Sequence, residues 1–133
     1  MIDIENQIYT LISDAVKTEY PNAKVESVLN LSPSEFPCVC VEEINNTTYR
    51  SSSDSGSIEN HAELAYEVNI FSNKLSGKKM EVKKISAIVD EIFANLNFIR
   101  TASIPSQLDD STKYRKLLRY AAVSDKNGTI YRR

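Results

Sequence analysis

KYRKLLRYAAVSDKNGTIYRR, residues 113–133, closes the chain and decides its fold class. Periodicity alone leaves two readings. Tyr114, Leu117, Leu118 and Ala121 recur at helical spacing, whereas Tyr114, Leu118, Tyr120 and Ala122 fit a strand less evenly. The continuation breaks the tie. Asp125-Lys126-Asn127-Gly128 is a tight-turn signal, because Asn and Gly accept positive φ, and Thr129-Ile130-Tyr131 has strand propensity. A hairpin is therefore predicted in place of a helix. The same stretch interleaves Lys113, Arg115, Lys116, Arg119, Arg132 and Arg133 with Tyr114, Tyr120 and Tyr131, and it reads as a basic, partner-facing edge.

Working back from the hairpin, Phe98 to Leu108 reads as an extended segment interrupted by Pro105. Before it, Val82, Ile85, Val89, Ile92, Phe93 and Leu96 mark the longest amphipathic helix, ending at Asn97. His61 to Phe71 holds the clearest period of two: Ala62, Leu64, Tyr66, Val68 and Ile70 alternate with His61, Glu63, Ala65, Glu67 and Asn69. Residues 45–60 shift to Asn, Thr, Ser, Asp and Gly, with little to bury, which predicts a long mobile loop. Phe36 to Glu43 is a compact apolar strand whose Pro37 is tolerated at the start, where no ladder donor is required. Val25, Ser27, Leu29 and Leu31 alternate, predicting a further strand. At the front, Ile4, Ile8, Leu11, Ile12 and Ala15 predict an amphipathic helix capped by Asp3 and ended at Tyr20-Pro21. The order predicts an α+β fold in a single domain spanning 1–133, with a mostly antiparallel sheet and both helices on one face.

The totals suit such a domain. With 133 residues the chain can bury roughly 68% of its unfolded surface. Its hydrophobic fraction of 41% and charged fraction of 26% are those of a globular protein rather than a disordered one. The net charge of −2 supplies no bulk attraction to nucleic acid or anionic lipid, although acidic residues crowd the first two-thirds and basic ones the end. No run approaches the ~20 apolar residues of a membrane span, and the start, MIDIENQIYT, is acidic where a signal peptide is basic. No membrane association is expected.

Candidates for chemistry are sparse. His61 is the sole histidine, and it begins a strand beside the predicted loop, which suits a surface residue better than a catalytic base. Cys38 and Cys40, at i and i+2, point to one side of a strand, a poor arrangement for a disulfide; with His61 they are one ligand short of a closed zinc site and read as core thiols. Glu42-Glu43 and Asp109-Asp110 are adjacent pairs whose members face opposite sides of a strand, so they read as solvated charge. The three glycines form neither a dinucleotide-binding nor a P-loop motif, and Lys78, Lys79, Lys83 and Lys84 read as a solvated helix face. Catalytic residues, cofactor-binding residues and metal ligands are all expected to be none, and no enzyme activity is expected. The basic, tyrosine-rich end could stack on single-stranded nucleic acid, but the acidic total argues against specific binding. Arg and Tyr are enriched at protein–protein hot spots, because they combine large contact area with hydrogen-bonding ends.

The order of these features resembles the tail terminator (tail completion) proteins of long-tailed bacteriophages and phage-tail-like particles. The resemblance rests on the strand opening at Phe36-Pro37, the long polar loop, the alternating Tyr66-Glu67-Val68-Asn69-Ile70-Phe71, the helix of form KxxxVxxIxxIVDEIFxxLxF, and Tyr114-Arg115, Arg119-Tyr120 and the terminal Asp-x-x-Gly-x-Ile-Tyr-Arg. It spans nearly the whole chain. It implies a homohexameric ring that caps the tail tube, ends its polymerisation and meets the head–tail connector and, in contractile systems, the sheath protein. It also implies no cofactor, residence in the host bacterial cytoplasm during assembly, and later residence in the virion or tail-like particle. The candidate interface residues are Tyr114, Arg115, Arg119, Tyr120, Tyr131, Arg132, Tyr49 and Arg50. A head–tail connector or stopper ring is the alternative reading. A contractile and a non-contractile tail are equally compatible with the sequence.

Overall fold

The computed structural model describes residues 3–31, 33–48, 61–107, 112–125 and 130–131. Two helices, α1 (Glu5–Glu19) and α2 (Lys78–Asn95), pack on one face of a six-stranded sheet. The strands are β1 (Lys24–Glu26), β2 (Cys38–Thr48), β3 (His61–Ser72), β4 (Ile99–Gln107), β5 (Tyr114–Asp125) and β6 (Ile130–Tyr131). Their spatial order is β1-β2-β3-β5-β4, with β6 paired to β5, and every pairing except β1–β2 is antiparallel. The α+β architecture expected from the sequence is the architecture found.

α1 forms because Ile4, Ile8, Ile12 and Val16 recur every four residues and make one buried stripe. Val16 completes that stripe, whereas Leu11, expected on it, is 46% exposed. Asp3 Oδ1 accepts the Glu5 N–H at 3.1 Å, which satisfies one orphan donor of the first turn. Tyr9 Oη donates to the Val25 carbonyl at 2.8 Å and ties the helix to β1.

α2 buries Val82, Ile85, Val89 and Phe93 and starts at Gly77, whose φ of 90° lies in the left-handed region open to glycine. Its end is a Schellman motif. Phe98 N–H donates to the Phe93 carbonyl at 2.9 Å and Asn97 N–H to the Ala94 carbonyl at 3.0 Å, with Asn97 at φ 67°. The hydrophobic contact that accompanies such a motif is the edge-to-face pair Phe93–Phe98, 5.1 Å between centroids.

β3 is the central strand, and its alternation sorts the two faces. Ala62, Leu64, Tyr66, Val68 and Ile70 join Val39, Val41, Leu118, Tyr120 and Ala122 beneath the helices. Ala65, Glu67, Asn69 and Phe71 fall on the opposite, helix-free face.

Three expectations need correction. The strand predicted over residues 25–31 shrinks to Lys24–Glu26, because its register with β2 ends at Cys40 and Leu29 N–H turns to the Glu42 carboxylate instead. Val28 and Leu31 are consequently exposed. The second strand, in contrast, runs on to Thr48 through a bulge between Glu43 and Asn45, so residues 45–48 of the predicted loop pair with Ala62–Ala65. The partner strand dictates this: β3 continues, and polar side chains suit positions that need not be buried. Residues 49–60, the rest of the predicted loop, lie outside the described residues. Finally, the basic terminal strand is not an edge. β5 lies between β3 and β4, and β4 is the outer strand, which accommodates Pro105 because an edge position can lack a ladder donor. The predicted hairpin itself is present, with Val123 opposite Tyr131 and Ser124 opposite Ile130.

Candidate functional site

Among the described residues, the face of the sheet away from the helices carries a connected ladder of polar side chains. Register sets Glu67 opposite Arg119, Asn69 opposite Leu117 and Phe71 opposite Arg115. Because residues two apart share a face, Glu67, Asn69 and Phe71 line up on β3 and Arg115, Leu117 and Arg119 on β5. Arg119 Nε donates to Glu67 Oε2 at 2.9 Å. Glu67 Oε1 in turn accepts from Asn69 Nδ2 at 3.0 Å. Asn69 Oδ1 receives both Arg115 Nε and Nη2, at 2.9 and 2.7 Å. The Arg115 guanidinium then lies over the Phe71 ring, 5.6 Å from its centroid. Asn69 is buried beneath this ladder, so its amide is spent on the two neighbours. The Arg119 side chain stays 49% exposed above a largely covered Glu67, leaving an accessible cation on a fixed base.

Next along the same face, Phe71 packs against Cys38 and Cys40, with Phe36 beside them. The two thiols are free and lie 4.0 Å apart. Glu26 Oε2 is 3.9 Å from Cys38 Sγ and 3.8 Å from Cys40 Sγ. Their shared hydrogen bond, ahead of burial, drives the Cys38 thiol above the ordinary range; the same bond, aided by the Asn30 backbone, holds Cys40 below it. The same-side placement expected for Cys38 and Cys40 is found. Glu26 was not legible as their neighbour, because only the parallel β1–β2 register, Glu26 opposite Cys40, brings it there. His61 is not their third partner: it begins β3 opposite Asp125, while Cys38 pairs with Phe71 at the strand's far end.

Among the described residues, the candidate interface residues do not form a single patch. Arg115 and Arg119 share the helix-free face. Tyr120, on the opposite face, is 1% exposed, stacks on Phe93 at 4.1 Å and 7°, and donates to Asp90 Oδ1 at 3.0 Å. It is a core residue, not a contact residue, because β5 is internal and its alternate side chains fill the helix–sheet layer. Tyr114 is half-buried and packs against the main core. Tyr131 is described only as a member of β6, opposite Val123. Tyr49, Arg50 and Arg132 lie outside the described residues, as do Asp109 and Asp110. The stacking platform suggested for nucleic acid therefore loses Tyr120 to the core, and Arg115 and Arg119 are already answered by Asn69 and Glu67.

Glu42 and Glu43 diverge as a strand requires. Glu42 accepts from Leu29 N–H, while Glu43 takes the Tyr66 hydroxyl at 3.2 Å beneath the helices. Burial, more than any neighbouring charge, raises the Glu43 carboxyl above its usual range. Among the lysines near the start of α2, Lys79, Lys83 and Lys84 are exposed and Lys78 is half-buried. Among the described residues no helix is long and apolar enough to cross a membrane.

No protein-family model matches the sequence, and no curated protein matches it. Among solved structures, the chain is similar to one from the "virion of native gene transfer agent (GTA) particle", with a TM-score of 0.60 and 12% identity over 90% of each chain. At that identity the likeness establishes a common fold.

Proposed function

We propose that the chain is a structural assembly protein of a bacteriophage or phage-tail-like particle, forming a ring that caps the tail tube, ends its polymerisation and joins it to the neck. The observation that carries this reading is the shared fold, over nine-tenths of both chains, with a component of a gene transfer agent virion. The order of sequence features that resembles tail terminators points the same way. In this reading the protein is not an enzyme, needs no cofactor, and resides in the host cytoplasm until it enters the particle. Its partners are further copies of itself, the tail tube protein and the neighbouring sheath or connector. A connector or stopper ring is the second reading, because the same likeness to a virion component supports it.

A ring needs two different surfaces per subunit, closed by rotation. The helix-free face supplies one candidate, with the exposed Arg119 cation held by Glu67. With Arg119 half-exposed the pair itself contributes only about 0–1 kcal/mol to folding, and circular dichroism of each variant checks that the monomer stays folded with Glu67 unpaired. Arg119→Glu is expected to weaken self-association or tube binding, measured by sedimentation with and without tube protein across a salt series. The swap Glu67→Arg with Arg119→Glu restores the internal pair and should leave association weakened. Recovery of wild-type assembly in the swap would assign Arg119 a role within the fold alone. Locating the tagged chain in imaged particles separates a tube-end ring from a connector, and a chain that stays monomeric with tube ends present would overturn the assembly role.

A further inference from the structure

We infer that Glu26, Cys38 and Cys40 form a zinc-binding site that clasps the short edge strand β1 to β2. The three ligand atoms, Glu26 Oε2 and the two Sγ, already form a triangle with sides of 3.8, 3.9 and 4.0 Å. Tetrahedral zinc, with Zn–S near 2.3 Å and Zn–O of about 2.0–2.2 Å, sets its ligand atoms roughly 3.5–3.8 Å apart. A contraction of a few tenths of an ångström brings this triangle to that spacing, with the fourth position left for water.

The surroundings are built for such an ion. Both thiols are buried on one face of β2, between Phe36 and Phe71, so their positions are fixed by packing. Glu26 is oriented by its other oxygen, with Oε1 3.9 Å from Lys24 Nζ, while Oε2 points at the sulfurs. Lys24 also sits beside a centre that carries excess negative charge once the metal is bound. Two thiolates and one carboxylate are a mixed soft–hard donor set, which suits zinc better than the all-oxygen shells of calcium or magnesium. Binding balances simply: Zn²⁺ enters, the two thiol protons leave to solvent, and the carboxylate exchanges its S–H hydrogen bonds for a metal bond.

The structural consequence lies in β1. That strand is held to β2 by three register pairs, and the connection after it exposes Val28 and Leu31. A bond from Glu26 through the metal to Cys38 and Cys40 closes this connection at its two ends. Binding to the folded form alone then raises its stability by mass action.

The test uses the full chain under a thiol-free reductant, with cobalt(II) as a spectroscopic probe and zinc in competition with a chromophoric chelator. The expected result is one metal per chain, with thiolate-to-cobalt charge-transfer absorption, and a zinc-dependent rise in melting temperature. Cys38→Ser with Cys40→Ser should abolish the charge-transfer band and the thermal shift. Glu26→Gln should keep the band but weaken zinc binding at least about tenfold, the lower end for disturbing a metal ion's surroundings. Glu91→Gln, exposed on α2 across the sheet from the triangle, should bind as wild type does. Should the double cysteine variant not fold, the Glu26→Gln comparison still decides, because Gln keeps the shape of a partly exposed side chain on the short edge strand β1. Failure of the wild-type chain to take up stoichiometric metal, undiminished uptake without the cysteines, or wild-type affinity in Glu26→Gln would each overturn the inference. No readout here depends on ring formation, so the site stands or falls apart from the assembly role.

Discussion

Truncating Tyr120 distinguishes a core residue from a contact residue. Its ring lies flat on Phe93, and Phe93 also meets Tyr66 at 6.1 Å and Phe98 at 5.1 Å, so one cluster joins α2, β3, β5 and the start of β4. Removing a buried aromatic side chain costs about 3–5 kcal/mol through lost transfer energy and the cavity left behind. Tyr120→Ala should sit near the upper half of that range, because the stacked partner loses a whole face. Tyr120→Phe isolates the hydroxyl. Asp90 Oδ1 keeps its contact with Arg100 Nη1 at 3.1 Å and its access to water, so the missing hydrogen bond should cost only about 1 kcal/mol. Against a usual stability of about 5–15 kcal/mol, the alanine variant is severely weakened and the phenylalanine variant is nearly native. Urea unfolding followed by far-ultraviolet circular dichroism measures both, and sedimentation of the phenylalanine variant reports on assembly. A loss below about 1 kcal/mol in Tyr120→Ala, with assembly abolished, would refute the core assignment, since buried stacking cannot be removed that cheaply.

Alkaline pH should destabilise the fold through Tyr66 and Tyr120, whose phenols are both raised above the ordinary range, first by burial and then by Glu43 and Asp90 respectively. The unfolded chain releases these protons near pH 10 while the folded chain retains them, so their contribution is intact below about pH 10 and falls by about 1.4 kcal/mol per unit and per tyrosine above it. Urea midpoints between pH 9 and 11 test this, and Tyr120→Phe should lower the slope above pH 10 by about 1.4 kcal/mol per unit; a flat profile would contradict the burial of both rings. Gly77→Ala should cost about 1–2 kcal/mol, because a Cβ at φ 90° is strained even though nothing stands within 4 Å of where it would lie. Gly77→Asn should cost less, as Asn tolerates that region, and equal stability of all three forms would show that the left-handed turn is not required.

How far the sequence could be read depends on how local each signal is. The recurrence of Ile4, Ile8 and Ile12 and the alternation of β3 are periodic within one element, so both elements were legible. So was the terminal hairpin, because Asn127-Gly128 lies between two runs that can pair only by turning back. The bulge after Glu43 was not legible: polar Asn45 to Thr48 belong to a strand only because Ala62 to Ala65 lie opposite. The same limit applies to the candidate site. Arg115 and Arg119 were visible as spaced cations, but their partners Asn69 and Glu67 stand 46 and 52 residues away in the chain.

Local sequence is enough for the kinds of element and their order, since periodicity, turn residues and helix-ending signals act over a few neighbouring positions. It also placed both cysteines on one side of a strand. Long-range pairing alone makes β5 internal to the sheet, which turns Tyr120 into a core stack and gives Arg115 and Arg119 their partners. Only the β1–β2 register decided that Glu26 faces the two thiols. Strand order and register are settled by pairings between distant segments, chosen by which arrangement buries the common apolar face, and no local pattern encodes that choice.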